Sequence, residues 1–359
     1  MQATQTTQAT LVPERLLGLA ARILLANGVP QGDAELVADS LVQSDLWGHQ
    51  SHGVLRLPWY VERIRQGAMR AVTAPETLVD TGALLLLDGN DGVGQVLADR
   101  ARVEAVARAK AHGVGAVGVR NSNHFGTAMY FTRRAAADGC VAILTTNASP
   151  AMAPWGGREK LIGTNPWSIA APYGDSAVAV DIANTAVARG KIYLARQRGE
   201  TIPDSWALTP EGARTTDAAA AVDGVILPMA GHKGYAISFM MDVLSGALTG
   251  SQVGKGVNGP YMADKRSGCG HMFLAIDVAT LGSPEEFQDK VAALIEDVKA
   301  TPLAQDATQI FYPGEIEDRN NALNRAEGGL VLPKQTLEDL HLLAEQSGLD
   351  ATAVLGERP

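Results

Sequence analysis

The sequence has little cysteine, no long apolar run and no leader-like start, and each absence argues against a class of protein. Its two cysteines, Cys140 and Cys269, show no CxxC spacing and form at most one disulfide. We therefore expect reduced, buried thiols in a cytoplasmic protein. Apolar runs such as residues 83–87 are far shorter than a membrane span. No positively charged segment followed by an apolar one opens the chain, which argues against secretion.

Positive charge and metal-ligand patterns are also scarce. The formal net charge is −9 and no basic run occurs, so the sequence lacks the positive surface that nucleic acids require. The seven histidines include no HxxxH or HExxH spacing, and the cysteines offer no partner ligands, so no metal site is expected. No GxSxG motif is present, which argues against hydrolysis by a Ser-His-Asp triad.

The remaining composition is that of a folded globular chain. Apolar residues make up 46% and charged residues 19% of the 359 residues. This balance suffices for a sizeable core, and the length suggests two or three domains. The first ten residues are polar and are predicted to form an unstructured tail.

Helical and β-rich segments alternate along the chain. Helical periodicity is present in four regions, at residues 13–67, 235–248, 284–299 and 335–346. Between the first two of these regions, short β-rich runs such as GAVGVRNS and AVAVDIA alternate with helical runs. This alternation is typical of an α/β core. Residues 198–226 have little regular pattern and are predicted to form a small excursion or lid.

Two glycine-rich loops have spacings found in phosphate-binding loops. Gly113, Gly115 and Gly118 match GxGxxG, but a predicted helix precedes them and a strand follows. A Rossmann dinucleotide loop requires the reverse order, so we interpret Gly113 as a helix cap. The run GNDGVG at 89–94 has the order strand, turn, helix, which suits either a bound anion or an ordinary β–α turn. If the chain binds a nicotinamide cofactor, this pattern favours a non-Rossmann arrangement.

His52 and Arg56 are a pair with a clear chemical meaning. They lie four residues apart and share one face if this segment is helical. A guanidinium binds a carboxylate through two hydrogen bonds, and an imidazole beside it exchanges a proton with the C2 oxygen of a 2-oxo acid. A structural histidine at 52 remains an open alternative, and for His49 that alternative is favoured.

Three further polar residues lie at predicted strand ends or helix starts. His124 belongs to NSNHFG, a loop of the kind that carries active-site residues and that a turn built from Asn and Ser explains equally well. Asp181 ends an apolar run, where it bonds ribose hydroxyls, caps a helix or belongs to a turn. Lys233 opens a long helix, where it meets a phosphate or is only solvated.

Taken in order, these segments resemble the malate/L-lactate dehydrogenase family of the second type, which includes sulfolactate, ureidoglycolate and diketogulonate enzymes and cyclic-imine reductases. The resemblance rests on SHGVLR, NSNHFG, PWGGREKLIGTNP, VDIANT, ARGK and GHKG, and it continues weakly into FYPGEIE. It implies an α/β fold: a non-Rossmann cofactor domain at 76–284 with a mixed, largely antiparallel sheet, beside a mostly helical domain from 1–75 and 285–359. It also implies a homodimer with each active site near the subunit interface.

The resemblance also implies roles for individual residues. His52 matches the proton donor of the family, Arg56 the group that binds the substrate carboxylate, and His124 a residue of the catalytic pocket. Thr164 and Asn165 of GTNP resemble residues that line the substrate pocket. The implied cofactor-binding residues are Asp181, Ile182, Ala183, Asn184, Thr185, His232, Lys233, Gly314 and Glu315, with the last two in the segment that is matched least closely.

The implied function is transfer of a hydride between NAD(P)H and C2 of a small 2-oxo or 2-hydroxy acid. Asp181 favours NAD, whereas Arg189 and Lys191 lie close enough in sequence to hold the 2′-phosphate of NADP. One alternative is reduction of a cyclic imine acid, in which a C=N bond replaces C=O. The other is a non-catalytic binding protein that retains the fold.

Overall fold

The computed structural model describes residues 10–358, and a seven-stranded sheet lies at its centre. In this part of the chain the strands are β1 (Glu76–Asp80), β2 (Leu84–Asp88), β3 (Val114–Ser122), β4 (Cys140–Thr146), β5 (Trp167–Tyr173), β6 (Ser176–Ile182), β7 (Ala207–Leu208), β8 (Val225–Ile226) and β9 (Cys269–Asp277). The short strands β7 and β8 form a separate ribbon. The predicted polar tail lies almost wholly outside the described residues.

Some helices pack directly against this sheet, and others form a second layer beside it. They are α1 (Pro13–Ala26), α2 (Gln31–Leu46), α3 (Leu57–Arg65), α4 (Gly94–His112), α5 (Met129–Ala137), α6 (Arg189–Arg198), α7 (Ala218–Asp223), α8 (His232–Asp242), α9 (Val278–Leu281), α10 (Pro284–Ala300), α11 (Glu315–Ala326), α12 (Lys334–Gln346) and α13 (Thr352–Leu355). None of these helices, over the residues that the structure describes, is long and apolar enough to cross a bilayer.

The sheet is mixed and largely antiparallel, which confirms the implied α/β fold class. Its strands follow the order β1-β2-β3-β9-β4-β5-β6. Within residues 10–358, β2 and β3 are parallel, and every other pair of neighbours in this sheet is antiparallel. The sequence pattern does not predict β9, although this strand pairs with both β3 and β4 at the middle of the sheet.

A helical layer joins the two ends of the chain. Its apolar core combines side chains of α1, α2 and α3 with those of α12 and α13. A second core lies between the sheet and helices α4 and α5. Helix α10 contacts β5 of the sheet, and the division at residue 285 stays a prediction. A third, small core between Val187 and Ile226 includes α6 and α7, so the compact unit around the predicted excursion begins before residue 198.

Both glycine-rich loops have the local structure that the sequence predicts. Gly113 caps α4 in the left-handed region, at φ 84°, and Gly115 and Gly118 lie within β3, so GxGxxG begins at the end of a helix and continues into a strand. The run at 89–94 connects β2 to α4. Gly94 is required there because a Cβ would lie 2.3 Å from the Asn123 carbonyl oxygen and 2.4 Å from that of His124. The first turn of α4 thus packs directly against the loop that carries His124.

Candidate active site

His52 and Arg56 lie in two 3₁₀ turns, Gln50–His52 and Val54–Arg56, which Gly53 separates with extended backbone. The expectation that a single helix places His52 and Arg56 on one face is therefore wrong. The cause is Asp45, whose Oδ2 accepts a hydrogen bond of 2.8 Å from the Val54 amide. A Cβ at position 53 would lie 2.0 Å from Asp45 Oδ1, so only glycine allows the carboxyl group to occupy this place.

His124 lies in the loop after β3, next to His52. The two imidazole rings stack with centroids 5.6 Å apart and planes inclined by 19°. His124 Nδ1 lies 2.7 Å from the hydroxyl oxygen of Tyr60, on α3. The structure thus brings together two histidines that are 72 positions apart in the sequence.

A cavity of about 100 Å³ opens beside both rings. Its polar lining comes from several elements and includes His52, His124, Thr146, Asn147, Thr164 and Cys269. Pockets for drug-sized ligands are typically about 300–1,000 Å³, so this cavity suits a much smaller molecule. Of the predicted catalytic and substrate residues, His52, His124 and Thr164 line it.

Burial keeps both imidazoles neutral. It lowers the pKa of His52 to about 3, with smaller contributions in the same direction from Arg56 and His49. Burial also holds the pKa of His124 well below its usual value, assisted by His52 and Arg56. An imidazole that is neutral at pH 7 carries one N–H donor and one acceptor nitrogen, so each ring can accept a proton at one nitrogen and donate a hydrogen bond from the other.

Arg56 is near the two rings but does not line the cavity. Its Nε donates a hydrogen bond of 2.6 Å to the Ser51 carbonyl oxygen, and its Cζ lies 4.2 Å from the centre of the Trp59 ring. The hydrogen bond to Ser51 uses Nε, so both Nη groups remain as donors for a carboxylate. Its positive charge nevertheless acts on His52 and His124, as their lowered pKa values indicate.

Two predicted site residues, Asn165 and Asn184, hold the backbone around the cavity. The buried Asn165 accepts a hydrogen bond from the Ala148 amide at Oδ1 and donates from Nδ2 to the Ser238 carbonyl oxygen. The buried Asn184 donates from Nδ2 to the carbonyl oxygens of Thr164 and Asn165. Their side chains connect the cavity wall to the end of β6.

The predicted cofactor segments converge on β6, which Asp181 and Ile182 end. The Asn184 carbonyl oxygen accepts a hydrogen bond from the Met229 amide, just before the His232–Lys233 segment. On the other side, the Ala179 amide donates to the Pro313 carbonyl oxygen, next to Gly314. The segments around His232 and Gly314 therefore both contact β6 or the residues that follow it, and Asn184 connects the end of β6 to the cavity wall at Thr164.

Asp181 stands where β6 ends and α5 begins. Its Oδ2 accepts a hydrogen bond of 2.9 Å from the amide of Met129, the first residue of α5, but Asp181 itself lies in β6 and is not the N-cap of a helix. Burial raises the pKa of Asp181, and the bond from Met129 opposes that rise. A carboxylate has about four acceptor positions, so this contact leaves room for ribose hydroxyls.

The other predicted cofactor residues differ in whether their polar groups already form hydrogen bonds or ion pairs within the protein. His232 and Lys233 are exposed in the first turn of α8. Glu315 instead forms an ion pair with Lys299 and accepts a hydrogen bond from the Tyr312 amide. Gly314 begins α11 in the left-handed region, at φ 96°, and its carbonyl oxygen accepts from Arg133.

The donor set fits a dinucleotide. Within the described residues no side chain caps α8, and the Gly234 amide already donates to the Met229 carbonyl oxygen. The amides of His232 and Lys233, together with the exposed Lys233 side chain, offer positive charge to a phosphate. Asp181 offers acceptor oxygens of the kind that bind ribose hydroxyls. Thr164 connects this region to the cavity, because its carbonyl oxygen accepts hydrogen bonds from the amide and side chain of Asn184.

Sequence reasoning missed three residues around the cavity. His271, on β9, is fully buried and lies within hydrogen-bonding distance of Thr146 Oγ1 (2.9 Å) and Ser122 Oγ (2.6 Å). His271 belongs to no motif that the sequence analysis identified, and the strand β9 that carries it was not predicted. Cys269 is buried and unpaired, as predicted, but it also lines the cavity. Tyr60 is readable only as an apolar position four residues after Arg56.

Comparison with known proteins gives a consistent result. The family model described as malate/L-lactate dehydrogenase matches residues 12–341. An L-sulfolactate dehydrogenase from Methanothermobacter thermautotrophicus is 39% identical over 334 residues, which cover 93% of this chain and 96% of that protein. A malate dehydrogenase from Pyrococcus horikoshii is 36% identical over 345 residues, 94% of this chain and 95% of that protein. The solved sulfolactate dehydrogenase from Methanocaldococcus jannaschii has a TM-score of 0.92 at 36% identity and covers 97% of this chain and 100% of that chain.

These similarities extend over nearly the whole length of the chain and include both of its layers. Relatives whose names state a cofactor divide between NAD and NADP. The mixed, largely antiparallel sheet and the matched sequence lead to one assignment. The chain therefore belongs to the malate/L-lactate dehydrogenase family, as an oxidoreductase of the 2-hydroxyacid dehydrogenase type.

Proposed function

We propose that this protein transfers a hydride between NAD(P)H and C2 of a small 2-oxo or 2-hydroxy acid, with His52 as the group that moves the proton. The observation that carries the proposal is the stacked pair His52 and His124 on a cavity of about 100 Å³. The same cavity includes Thr164, which is bonded to the predicted cofactor segment through Asn184.

The proposed chemistry divides between the cofactor and the side chains. When bound, the cofactor supplies or accepts the hydride at C2. In the oxidative direction, neutral His52 takes the proton of the C2 hydroxyl group, which general base catalysis typically accelerates by about 10²–10⁴-fold. In the reductive direction, His52 returns a proton to the C2 oxygen. Arg56 orients the substrate carboxylate through its Nη groups, and positioning of this kind lowers the barrier further.

Variants of His52 and Arg56 test these roles. His52→Ala is expected to lose most turnover while cofactor binding, followed by NADH fluorescence, stays intact. His112→Ala is a matched control, because His112 is exposed at the end of α4, and it is expected to keep full activity. Full activity in His52→Ala would contradict the assignment. Arg56→Leu is expected to raise the KM for the acid, and an unchanged KM would give Arg56 another role.

The substrate is proposed to be a malate-, lactate- or sulfolactate-like acid. The small cavity supports a short carbon chain, and similar proteins are named for malate and sulfolactate. A panel of pyruvate, oxaloacetate, sulfopyruvate and piperideine-2-carboxylate, each with NADH and NADPH, distinguishes the candidates. Turnover of the cyclic imine alone would establish C=N reduction instead, and the absence of NAD(P)H binding would indicate a non-catalytic protein.

NAD is proposed as the preferred cofactor. The Asp181 carboxylate, at the end of β6, would repel a 2′-phosphate and accept a hydrogen bond from a free 2′-hydroxyl. Arg189 and Lys191, in the first turn of α6, lie eight and ten residues after Asp181. They are the groups that would favour NADP. The ratio of kcat/KM with NADH to that with NADPH measures the preference. Asp181→Ser is expected to lower this ratio, and a rise would contradict the proposed role of Asp181.

A homodimer in the cytoplasm is proposed as the working form. Phe239 and Met240 of α8 are 47% and 49% exposed, and Leu248 is 63% exposed. Large exposed apolar side chains often mark an association surface. Light scattering during gel filtration is expected to give twice the chain mass of 37.6 kDa, and Phe239→Glu is expected to shift the protein toward the monomer. A monomeric wild-type protein would contradict the dimer.

A further inference from the structure

Tyr60 connects the helical layer to the His124 loop. It lies on α3 with 1% of its surface exposed, and its hydroxyl oxygen is 2.7 Å from His124 Nδ1. The Gly126 amide donates a second hydrogen bond, of 3.3 Å, to the same nitrogen. One ring nitrogen of His124 therefore has two neighbours, and one of them is a backbone amide, which acts only as a donor.

These contacts determine where the proton of the ring resides. A nitrogen that accepts from a backbone N–H has its lone pair in that direction and carries no hydrogen there. Tyr60 must then donate its hydroxyl hydrogen to Nδ1 as well, and the proton of the neutral ring lies on Nε2. Burial raises the pKa of Tyr60 far above its ordinary value, so the phenol keeps the hydrogen that it donates.

The surroundings of His124 also disfavour the doubly protonated ring. Burial lowers the pKa of His124, and four nearby groups lower it further: His52, Arg56, His271 and Arg63. A neutral ring has two tautomers, and the hydrogen bond at one nitrogen selects between them. Tyr60 and Gly126 both select the form with the hydrogen on Nε2.

We infer that Tyr60 is a positioning residue that holds His124 as the neutral Nε2–H tautomer. The consequence for catalysis rests on the proposed function: His124 donates a hydrogen bond from Nε2 to an oxygen of the bound acid, while His52 exchanges the proton. In the stacked pair, His124 thus donates a hydrogen bond and stays neutral, whereas His52 gains and loses the proton. The tautomer itself follows from contacts of the free protein, so it is testable without turnover.

The experiment uses protein labelled with ¹⁵N at histidine, with the His124 signals assigned by their loss in His124→Gln. In the wild type, the ring of His124 is expected to show an unprotonated Nδ1 and a protonated Nε2. In Tyr60→Phe only the longer bond of 3.3 Å from the Gly126 amide remains at Nδ1, so both ring nitrogens are expected to shift part of the way toward the values of a tautomer mixture. A protonated Nδ1 in the wild type, or an unchanged pattern in Tyr60→Phe, would overturn the inference.

Tyr130→Phe is the matched control. Tyr130 is also buried, and its hydroxyl donates to Asp39 Oδ2 at 2.6 Å, on α2. This variant loses a buried phenol hydrogen bond in the same way, but the His124 signals are expected to stay unchanged. If they moved as much as in Tyr60→Phe, the effect would be a general consequence of loosened packing and the inference would fail.

Steady-state kinetics is a second test of the role of Tyr60, measured with an acid that the wild-type protein turns over. Tyr60→Phe is expected to lower kcat about tenfold, the effect of one lost hydrogen bond in the transition state, with the KM for the cofactor unchanged. A fall in kcat with an intact His124 tautomer would overturn the inference and leave the proposed function standing. A shifted tautomer in a protein that oxidises no hydroxy acid would support the inference and refute the proposed function.

Discussion

Three imidazoles around the cavity are held neutral by burial, and their state decides which proton transfers the free protein can make. The pKa values of His52 and His271 lie near 3, and that of His124 is also strongly lowered. The proposed base, His52, is therefore in the form that accepts a proton from a hydroxy acid. For reduction of an oxo acid it must first gain a proton, which an anionic substrate beside the ring favours by opposing the cost of burial.

The pH profile of hydroxy-acid oxidation tests the neutral state of His52. Because its pKa in the free protein is lowered to about 3, kcat/KM is expected to show no loss of base near pH 6.5 as the pH falls from 8 to 5. Initial rates over that range measure this directly. A fall of about tenfold per pH unit below 6.5 would mean an ordinary histidine pKa and would contradict this prediction.

His271 predicts a pH-dependent contribution to stability. Its pKa is lowered to about 3 when folded and is about 6.5 when unfolded. Below pH 6.5 the unfolded chain therefore binds a proton that the folded one does not, and stability falls with pH. The stability advantage of the wild type over His271→Asn is expected to shrink by about 1.4 kcal/mol per pH unit below 6.5. Urea unfolding at pH 7 and pH 5 measures this, and a constant difference would contradict it.

At the scale of elements, the decisive feature is the break between α2 and α3. The sequence places His52 and Arg56 four residues apart, which matches helical spacing, yet the segment folds as two 3₁₀ turns. The reason is tertiary: the buried Asp45 carboxyl occupies the space beside Gly53 and binds the Val54 amide. Burial raises the pKa of Asp45 to about 7, so the group that fixes this loop is itself close to titrating.

Gly53→Ala is expected to disturb the site from within this element. Its Cβ would lie 2.0 Å from Asp45 Oδ1, and a clash of this kind typically costs about 1–3 kcal/mol of stability. The shift of the turn is also expected to lower kcat, because His52 precedes Gly53 directly. Gly32→Ala is the control: a Cβ there meets nothing within 4 Å, and alanine in the first turn of α2 is expected to change stability by less than about 0.5 kcal/mol. Equal effects in the two variants would contradict this explanation.

At the scale of the whole molecule, the two ends of the chain share one core. Leu330, Leu337 and Leu340 from the C-terminal part pack with α1, α2 and α3, and α12 contacts the 3₁₀ turn that carries Arg56. The position of the turns that carry His52 and Arg56 therefore depends on residues almost 300 positions further along the chain.

Paired substitutions on α12 test this dependence. Leu340 is 1% exposed and Leu342 is 42% exposed on the same helix. Leu340→Ala is expected to lower the free energy of unfolding by about 2–5 kcal/mol, whereas Leu342→Ala is expected to change it by less than about 0.5 kcal/mol. Chemical denaturation measures both. Similar losses in the two variants would mean that the helix contributes through its own propensity and not through the shared core.

The sequence alone determined the parts that depend on local order. The helical character of the N-terminal region, the placement of GxGxxG after a helix and the order of the motifs are all readable without coordinates, because caps, turns and periodicity involve neighbouring residues. The resemblance of those motifs also predicted the family and the mixed sheet. Only tertiary structure decided that Asn165 and Asn184 are bonded within the wall and that Arg56 lies outside the cavity. It also placed Tyr60 on His124, because hydrogen bonds between distant segments depend on how the two layers pack, which no local pattern encodes.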